Sequence, residues 1–248
     1  MELKEDMFGD DFHTPELTVI GEDAIPVSTD KKHVTLNVRS TDTEDNLKML
    51  NVWVNGVPDA ANRIEDLQGQ TDKRKLSVEL SEGVNTIQLA VQNDKGASSL
   101  KKSFKIKYEG KHEKHDLYIV GIGVARYKNI TPLAYMDKDV IDLIDLYKKQ
   151  EGMMFKKVHS ELLTNDQVTH DSIMKTKHFL ATSKVDDTVI VFFSGHGKIE
   201  GDENYLATYA WADKQPSKTG LAYTALENLL DNAPARKKLL LVNACHSG

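Results

Sequence analysis

Val189-Ile190-Val191-Phe192-Phe193-Ser194-Gly195-His196-Gly197 is a run of five apolar residues that ends in a small-residue turn carrying one histidine. A continuous apolar stretch without polar alternation suits a strand covered on both faces, as in a parallel sheet. The pattern returns at Leu239-Leu240-Leu241-Val242, which leads into Asn243-Ala244-Cys245-His246-Ser247-Gly248. Cys245 is the only cysteine in 248 residues. Two such strands, each delivering a reactive side chain from a short turn, predict one site at the carboxyl edge of one sheet. That edge is where open α/β sheets bind their ligands.

Between and before these strands the chain keeps the matching rhythm. Leu117-Tyr118-Ile119-Val120-Gly121-Ile122-Gly123-Val124 is another continuous apolar run. A helix is expected over 137–150, with Val140, Leu143, Ile144 and Tyr147 at helical spacing, then a weaker strand over 158–163. Residues 170–183 read as helix, 198–220 as a polar excursion, and 223–231 as a last helix before the Leu239 run. This β-α alternation over 117–248 predicts an α/β domain on a parallel sheet.

Residues 15–108 read differently, as strand after strand with no useful helix. Val34-Thr35-Leu36-Asn37-Val38 and Leu50-Asn51-Val52-Trp53-Val54 alternate at period 2, and the second runs into the turn dipeptide Asn55-Gly56. Further strands are expected over 75–80, 86–91 and 103–108, so this part predicts an antiparallel, immunoglobulin-like β-sandwich without a disulfide. Trp53 is expected in its core. Residues 1–14, acidic and without period, suggest a mobile leader. Residues 109–116 form a polar linker, whose His112 and His115 are expected to be solvated rather than metal ligands.

The net charge of −6 argues against nucleic acid as the main partner, because phosphate binding needs a basic surface. No apolar run approaches the roughly 20 residues of a membrane span. The start, Met1-Glu2-Leu3-Lys4-Glu5-Asp6, has no apolar core of a secretory signal. One cysteine excludes an internal disulfide framework and fits a reducing compartment, so a cytoplasmic location is expected.

A thiol attacks as the thiolate, and a nearby imidazole can take its proton and later return one to an amine leaving group. Gly195 and Gly197 let the backbone turn sharply around His196. Backbone N–H groups of Gly197 and Cys245 could hold a developing oxyanion, worth on the order of 3 kcal/mol per donor. Acyl transfer by His196 and Cys245 is therefore the expected chemistry. A metal hydrolase using His196 would need companion ligands such as H-E-x-x-H, which are lacking.

Phe193-Ser194-Gly195-His196-Gly197 and Asn243-Ala244-Cys245-His246-Ser247-Gly248 resemble the His and Cys boxes of the caspase superfamily, above all metacaspases and prokaryotic caspase-like peptidases. The histidine lies about 50 residues before the cysteine, as in caspases. Val120-Gly121-Ile122-Gly123 with Tyr127, and Leu133-Ala134-Tyr135-Met136-Asp137-Lys138-Asp139-Val140, are similar to further stretches of that group. The resemblance covers 117–248 and corresponds to a large-subunit portion. It implies a caspase-like fold, a cysteine endopeptidase with His196 and Cys245 as its dyad, and protein or peptide substrates. Metacaspases cut after Arg or Lys using acidic pocket residues, so Asp139 and Asn243 are the implied substrate-binding residues, with Asn243 standing where that group tends to carry Asp. His246 adjoins the nucleophile, but neighbouring side chains diverge, and no separate role is expected for it.

The resemblance also implies a partner, since a caspase domain needs a small-subunit portion that supplies further strands and the other wall of the groove. None follows Gly248, so this piece alone is expected to show little peptidase activity. Some metacaspases bind calcium through acidic residues, and Glu200, Asp202 and Glu203 form an acidic cluster. Such loops are usually only solvated, and no cofactor is expected. The alternative function is an inactive caspase-like and immunoglobulin-like module used for binding or scaffolding.

Overall fold

The computed structural model describes residues 13–111, 113–231 and 233–244. The expected leader, except residues 13 and 14, and the Cys245 and His246 turn lie outside the described residues, as does His112. The chain divides into two compact units, Met1–His112 and Glu113–Gly248.

In the first unit, β1 (Glu16–Ile20), β3 (His33–Thr41) and β6 (Thr71–Glu79) form an antiparallel sheet in the order β1-β3-β6. A second sheet has the order β2-β8-β7-β4-β5, from β2 (Ser28–Thr29), β4 (Leu47–Val54), β5 (Val57–Pro58), β7 (Gly83–Asn93) and β8 (Lys102–Tyr108). All its pairings are antiparallel except β2 with β8. Leu36, Val38, Leu76 and Val78 of the first sheet share one core with Leu50, Val52, Ile87, Leu89 and Ile106 of the second. The two sheets therefore pack as a sandwich. Asn55 and Gly56 both take positive φ, 55° and 80°, and close the β4–β5 hairpin as the sequence predicts.

Trp53 is a correction. Leu50, Val52 and Val54 are buried, and because side chains alternate along a strand, Trp53 faces outward. It is half-buried there, with the Lys101 ammonium 4.3 Å from its ring centroid.

The second unit is built on a parallel sheet in the order β10-β9-β11-β15, formed by β9 (Leu117–Gly123), β10 (Val158–Thr164), β11 (Thr188–Ser194) and β15 (Lys237–Asn243). Helix α1 (Met136–Lys148) covers one face, where Ile144 packs with Leu117, Ile119 and Ile190. Helices α2 (His170–Leu180) and α4 (Tyr223–Asp231) cover the other, where Ile173, Leu180, Leu226 and Leu229 meet Val120, Ile122, Val191 and Phe193. Every residue of β9 is buried, which is why that stretch reads as continuous apolar sequence.

The region read as a polar excursion also holds regular structure. It contains β12 (Gly197–Glu200), β13 (Glu203–Ala207), the short α3 (Pro216–Thr219) and β14 (Gly220–Ala222), with the strands forming an antiparallel sheet in that order. Their apolar content is confined to a few positions such as Leu206 and Leu221, too few to show a period. His115 differs as well, being half-buried rather than solvated. Its carbonyl accepts from Lys156 N (2.9 Å) and the Asp116 carbonyl from Thr188 N (3.0 Å), so the end of the expected linker already joins the amino edge of the sheet.

Candidate active site

The site begins with a register. Ser194, the last residue of β11, pairs with Asn243, the last residue of β15. One residue on, Gly195 N donates to Asn243 O at 3.0 Å, so the two strand ends are tied together where they leave the sheet. On the other side Val124 N donates to Ser194 O at 2.9 Å. His196 and Cys245 each follow two residues after the paired Ser194 and Asn243.

His196 is half-buried and held through its backbone. Its N–H donates to the Tyr127 hydroxyl at 2.8 Å, and the two rings lie 5.2 Å apart at 44°. Tyr127 is buried, which pushes its phenol up to about 12, although the bond from His196 N opposes the shift. A side chain at Gly195 would meet the Tyr127 hydroxyl at 2.9 Å and the Phe193 ring at 3.1 Å, so only glycine lets the turn pass this close. The loop bearing Tyr127 is fixed by Asn165, a buried residue in the left-handed region at φ 49°. Its Oδ1 accepts from Ala125 N (3.0 Å) and Arg126 N (2.8 Å), and its Nδ2 donates to Asp137 Oδ2 (2.9 Å).

Gly197 opens β12, an edge strand in the order β12-β13-β14. Gly197 stands opposite Leu206, and the neighbouring bond runs from Ala207 N to His196 O at 2.9 Å. In an antiparallel ladder this makes Gly197–Leu206 a non-hydrogen-bonded pair, so the Gly197 N–H points away from β13, off the sheet edge. Its geometry fits a donor to an external oxygen.

Asp139 and Asn243 meet through Ser194. The Asn243 amide donates to Ser194 Oγ at 3.2 Å, and that hydroxyl lies 3.2 Å from Met136 Sδ and 3.5 Å from Asp139 Oδ2. Ser194 is fully buried. Asp139 reaches this point because α1 starts almost on top of β9. A side chain at Gly123 would lie 2.6 Å from Val140 Cγ2 and 2.7 Å from Met136 O, so glycine sets the approach. Beyond Asp139 a shallow, mostly apolar groove of about 360 Å³ runs along Leu143, Leu146, Phe192 and Leu241.

Glu200 and Glu203 pair across the β12–β13 turn with Asp202 exposed between them, and Glu203 Oε2 accepts from Thr224 Oγ1 at 3.4 Å. Among the described residues, no group of three or more His, Cys, Asp or Glu side chains converges as a metal site would require.

The sequence reading singled out His196, Gly197, Asp139 and Asn243, and all four lie at the carboxyl edge of the sheet; Cys245 lies outside the described residues. It gave no role to Ser194 or Asn165. Ser194 is hidden in the His box itself, while nothing in the sequence around Asn165 announces a left-handed residue that bridges two loops.

A family model for the caspase domain of peptidase C14 matches residues 118–248. The chain belongs to the caspase-domain family. Its second unit is thus a caspase-like α/β fold, and it follows a β-rich first unit in the sequence. The family is one of peptidases. No curated protein matches the chain. Among solved structures, the fibronectin(III)-like modules of Clostridium thermocellum CbhA are 15% identical at a TM-score of 0.31, covering 42% of this chain and 53% of that one. A Geobacter sulfurreducens protein is 16% identical at 0.42, covering 54% and 52%. The PKD domain of an M14-like peptidase from a Thermoplasmatales archaeon is 12% identical at 0.27, covering 40% and 96%. The chain therefore spans about half the length of the first two. No helix among the described residues is long and apolar enough to cross a membrane.

Proposed function

We propose that this caspase-domain chain is a cysteine endopeptidase that uses Cys245 and His196 as a dyad. The observation that carries the reading is the Ser194–Asn243 register with its Gly195 N to Asn243 O bond, which sets the His turn beside the chain leading into Cys245. The His196 imidazole takes the Cys245 proton, and the thiolate attacks the carbonyl carbon of the scissile bond. The Gly197 and Cys245 N–H groups receive the oxyanion. As the C–N bond breaks, the imidazolium gives its proton to the departing amine, leaving a thioester. Water then adds to the thioester, His196 removes its proton, and the acid and thiol are released.

Cleavage falls after Arg or Lys. Asp139 supplies the charge, and Asn243 a neutral acceptor, joined through Ser194. A small-subunit portion completes the groove by adding strands to β15, whose outer position in the sheet and 43%-exposed Leu239 leave an apolar edge that such strands would cover. The domains are a sandwich over 15–108, a linker over 109–116 and the peptidase domain over 117–248. The lone cysteine, needed as a thiol, suits a reducing compartment such as the cytoplasm.

The test is alkylation of Cys245 by an arginyl chloromethyl ketone. Faster reaction than with the glycyl analogue, lost in His196→Ala, supports the peptidase. Equal rates for both reagents, indifferent to His196, favour the binding-module alternative.

A further inference from the structure

A second cleft, of about 540 Å³, opens against His196 and Gly197 and is lined by Ile130, Thr131, Lys198, Trp211 and Asp213. Its size is within the roughly 300–1,000 Å³ of small-ligand pockets. The walls are fixed in place. Lys128 N donates to Tyr209 O at 2.9 Å, and Asn129 Nδ2 donates to the Ala210 and Trp211 carbonyls at 3.1 and 3.2 Å, which binds the loop after β9 to the loop after β13. Trp211 is the largest fully buried side chain among the described residues, and its indole N–H is committed to Asp213 Oδ1 at 2.7 Å. Lys198 Nζ closes the mouth by donating to Asp213 O at 2.8 Å.

The cleft and the Asp139 pocket lie on opposite faces of the sheet. Ile130 and Trp211 belong to the core that α2 and α4 cover. Asp139 sits on α1, beside the groove of Leu143 and Leu241 on the other face. The His196 turn rises between them. In the proposed mechanism the departing amine takes its proton from His196, so that nitrogen must come within about 3 Å of the imidazole. The substrate chain on the far side of the cut then continues past His196, away from Asp139. Two extended residues span about 7 Å, which carries them into this cleft.

We infer that the cleft binds the leaving-group side of the substrate, the two residues after the cut, and that it selects an apolar residue at the first of them. This rests on the peptidase reading above. The Lys198 and Asp213 charges oppose each other at the mouth, so net charge does not discriminate. The half-buried Ile130 on the cleft wall does, by removing apolar surface from water.

The test uses the full chain and two aza-peptide Michael acceptors with arginine before the electrophile. They differ only in the leaving-side amide, N-methyl in one and N-phenethyl in the other. Cys245 alkylation is followed by intact-protein mass spectrometry, and the ratio of the two rates is taken within each variant. Burying the phenyl group should make the second reagent at least about fivefold faster. Ile130→Ser and Lys198→Glu should each bring the ratio towards one, Ile130→Ser by roughening the wall and Lys198→Glu by opening the mouth. Two variants at separate walls guard against a folding defect in either. Equal rates in the parent chain, with the arginyl reagents still outpacing glycyl ones, overturn the cleft and leave the peptidase reading standing. Loss of all arginyl preference overturns both.

Discussion

At the scale of single residues, the site depends on groups that do no chemistry themselves. The Tyr127 hydroxyl receives the His196 backbone N–H, so Tyr127→Phe should leave a buried donor without its partner. We expect a loss of about 1–3 kcal/mol in unfolding free energy, with Cys245 alkylation also slowed. Denaturant titration and alkylation kinetics on the same variant check both. Ser194→Ala should keep thiol reactivity and lose selectivity, because its hydroxyl is what joins Asn243 to Asp139. The arginyl-to-glycyl rate ratio should fall severalfold while iodoacetamide reports the thiol itself. The sheet-edge position of His196 was legible because a small-residue turn after an apolar strand leaves a local mark, whereas Asp139 and Asn243 were singled out only through the family resemblance. Asn165 was not singled out at all. Its three bonds join segments far apart in sequence, and a left-handed asparagine has no local signature.

At the scale of elements, one close approach brings Asp139 to the sheet edge. Gly121 and Gly123 let α1 lie against β9, and Gly123→Ala would drive a methyl group to 2.6 Å from Val140. Overpacking of this kind costs about 1–3 kcal/mol, and the same displacement should weaken arginyl selectivity more than iodoacetamide reactivity. In the first unit, the loop after β3 is closed by the buried Asp42. Burial pushes its carboxyl up, but bonds from Asp45 N, Glu44 N and Asn93 outweigh this and hold it below its usual value. A lowered folded-state value means that the stabilisation is present above the unfolded value, near 4, and is lost as pH falls through the folded one. Thermal melts of residues 13–111 within the full chain should therefore lose stability in acid, and Asp42→Asn should flatten that dependence.

At the scale of the whole molecule, the change of rhythm near residue 110 announced two kinds of architecture. Period-2 alternation followed by continuous apolar runs reflects a sandwich with one wet face per sheet and a parallel sheet with none. The succession of strands and of the three main helices along the second unit could be read from that, though not the order of the strands in the sheet. What escaped was structure whose burial is not periodic. Trp53 is a different case, because Leu50, Val52 and Val54 already mark the inner face of its strand and only its size argued for the core. The β12–β14 sheet is made of strands so short that their few buried residues leave no pattern. Yet it carries Gly197 and helps to frame the cleft beside His196, so this weakly marked region shapes much of the proposed site.

The most direct measurement of the central claim is the pH dependence of Cys245 alkylation in the parent chain and in His196→Ala, with iodoacetamide as the probe. A dyad predicts a thiolate that forms below the ordinary thiol value of about 8.5, and a midpoint that moves up when His196 is removed. Identical profiles, both near the ordinary value, would contradict the account.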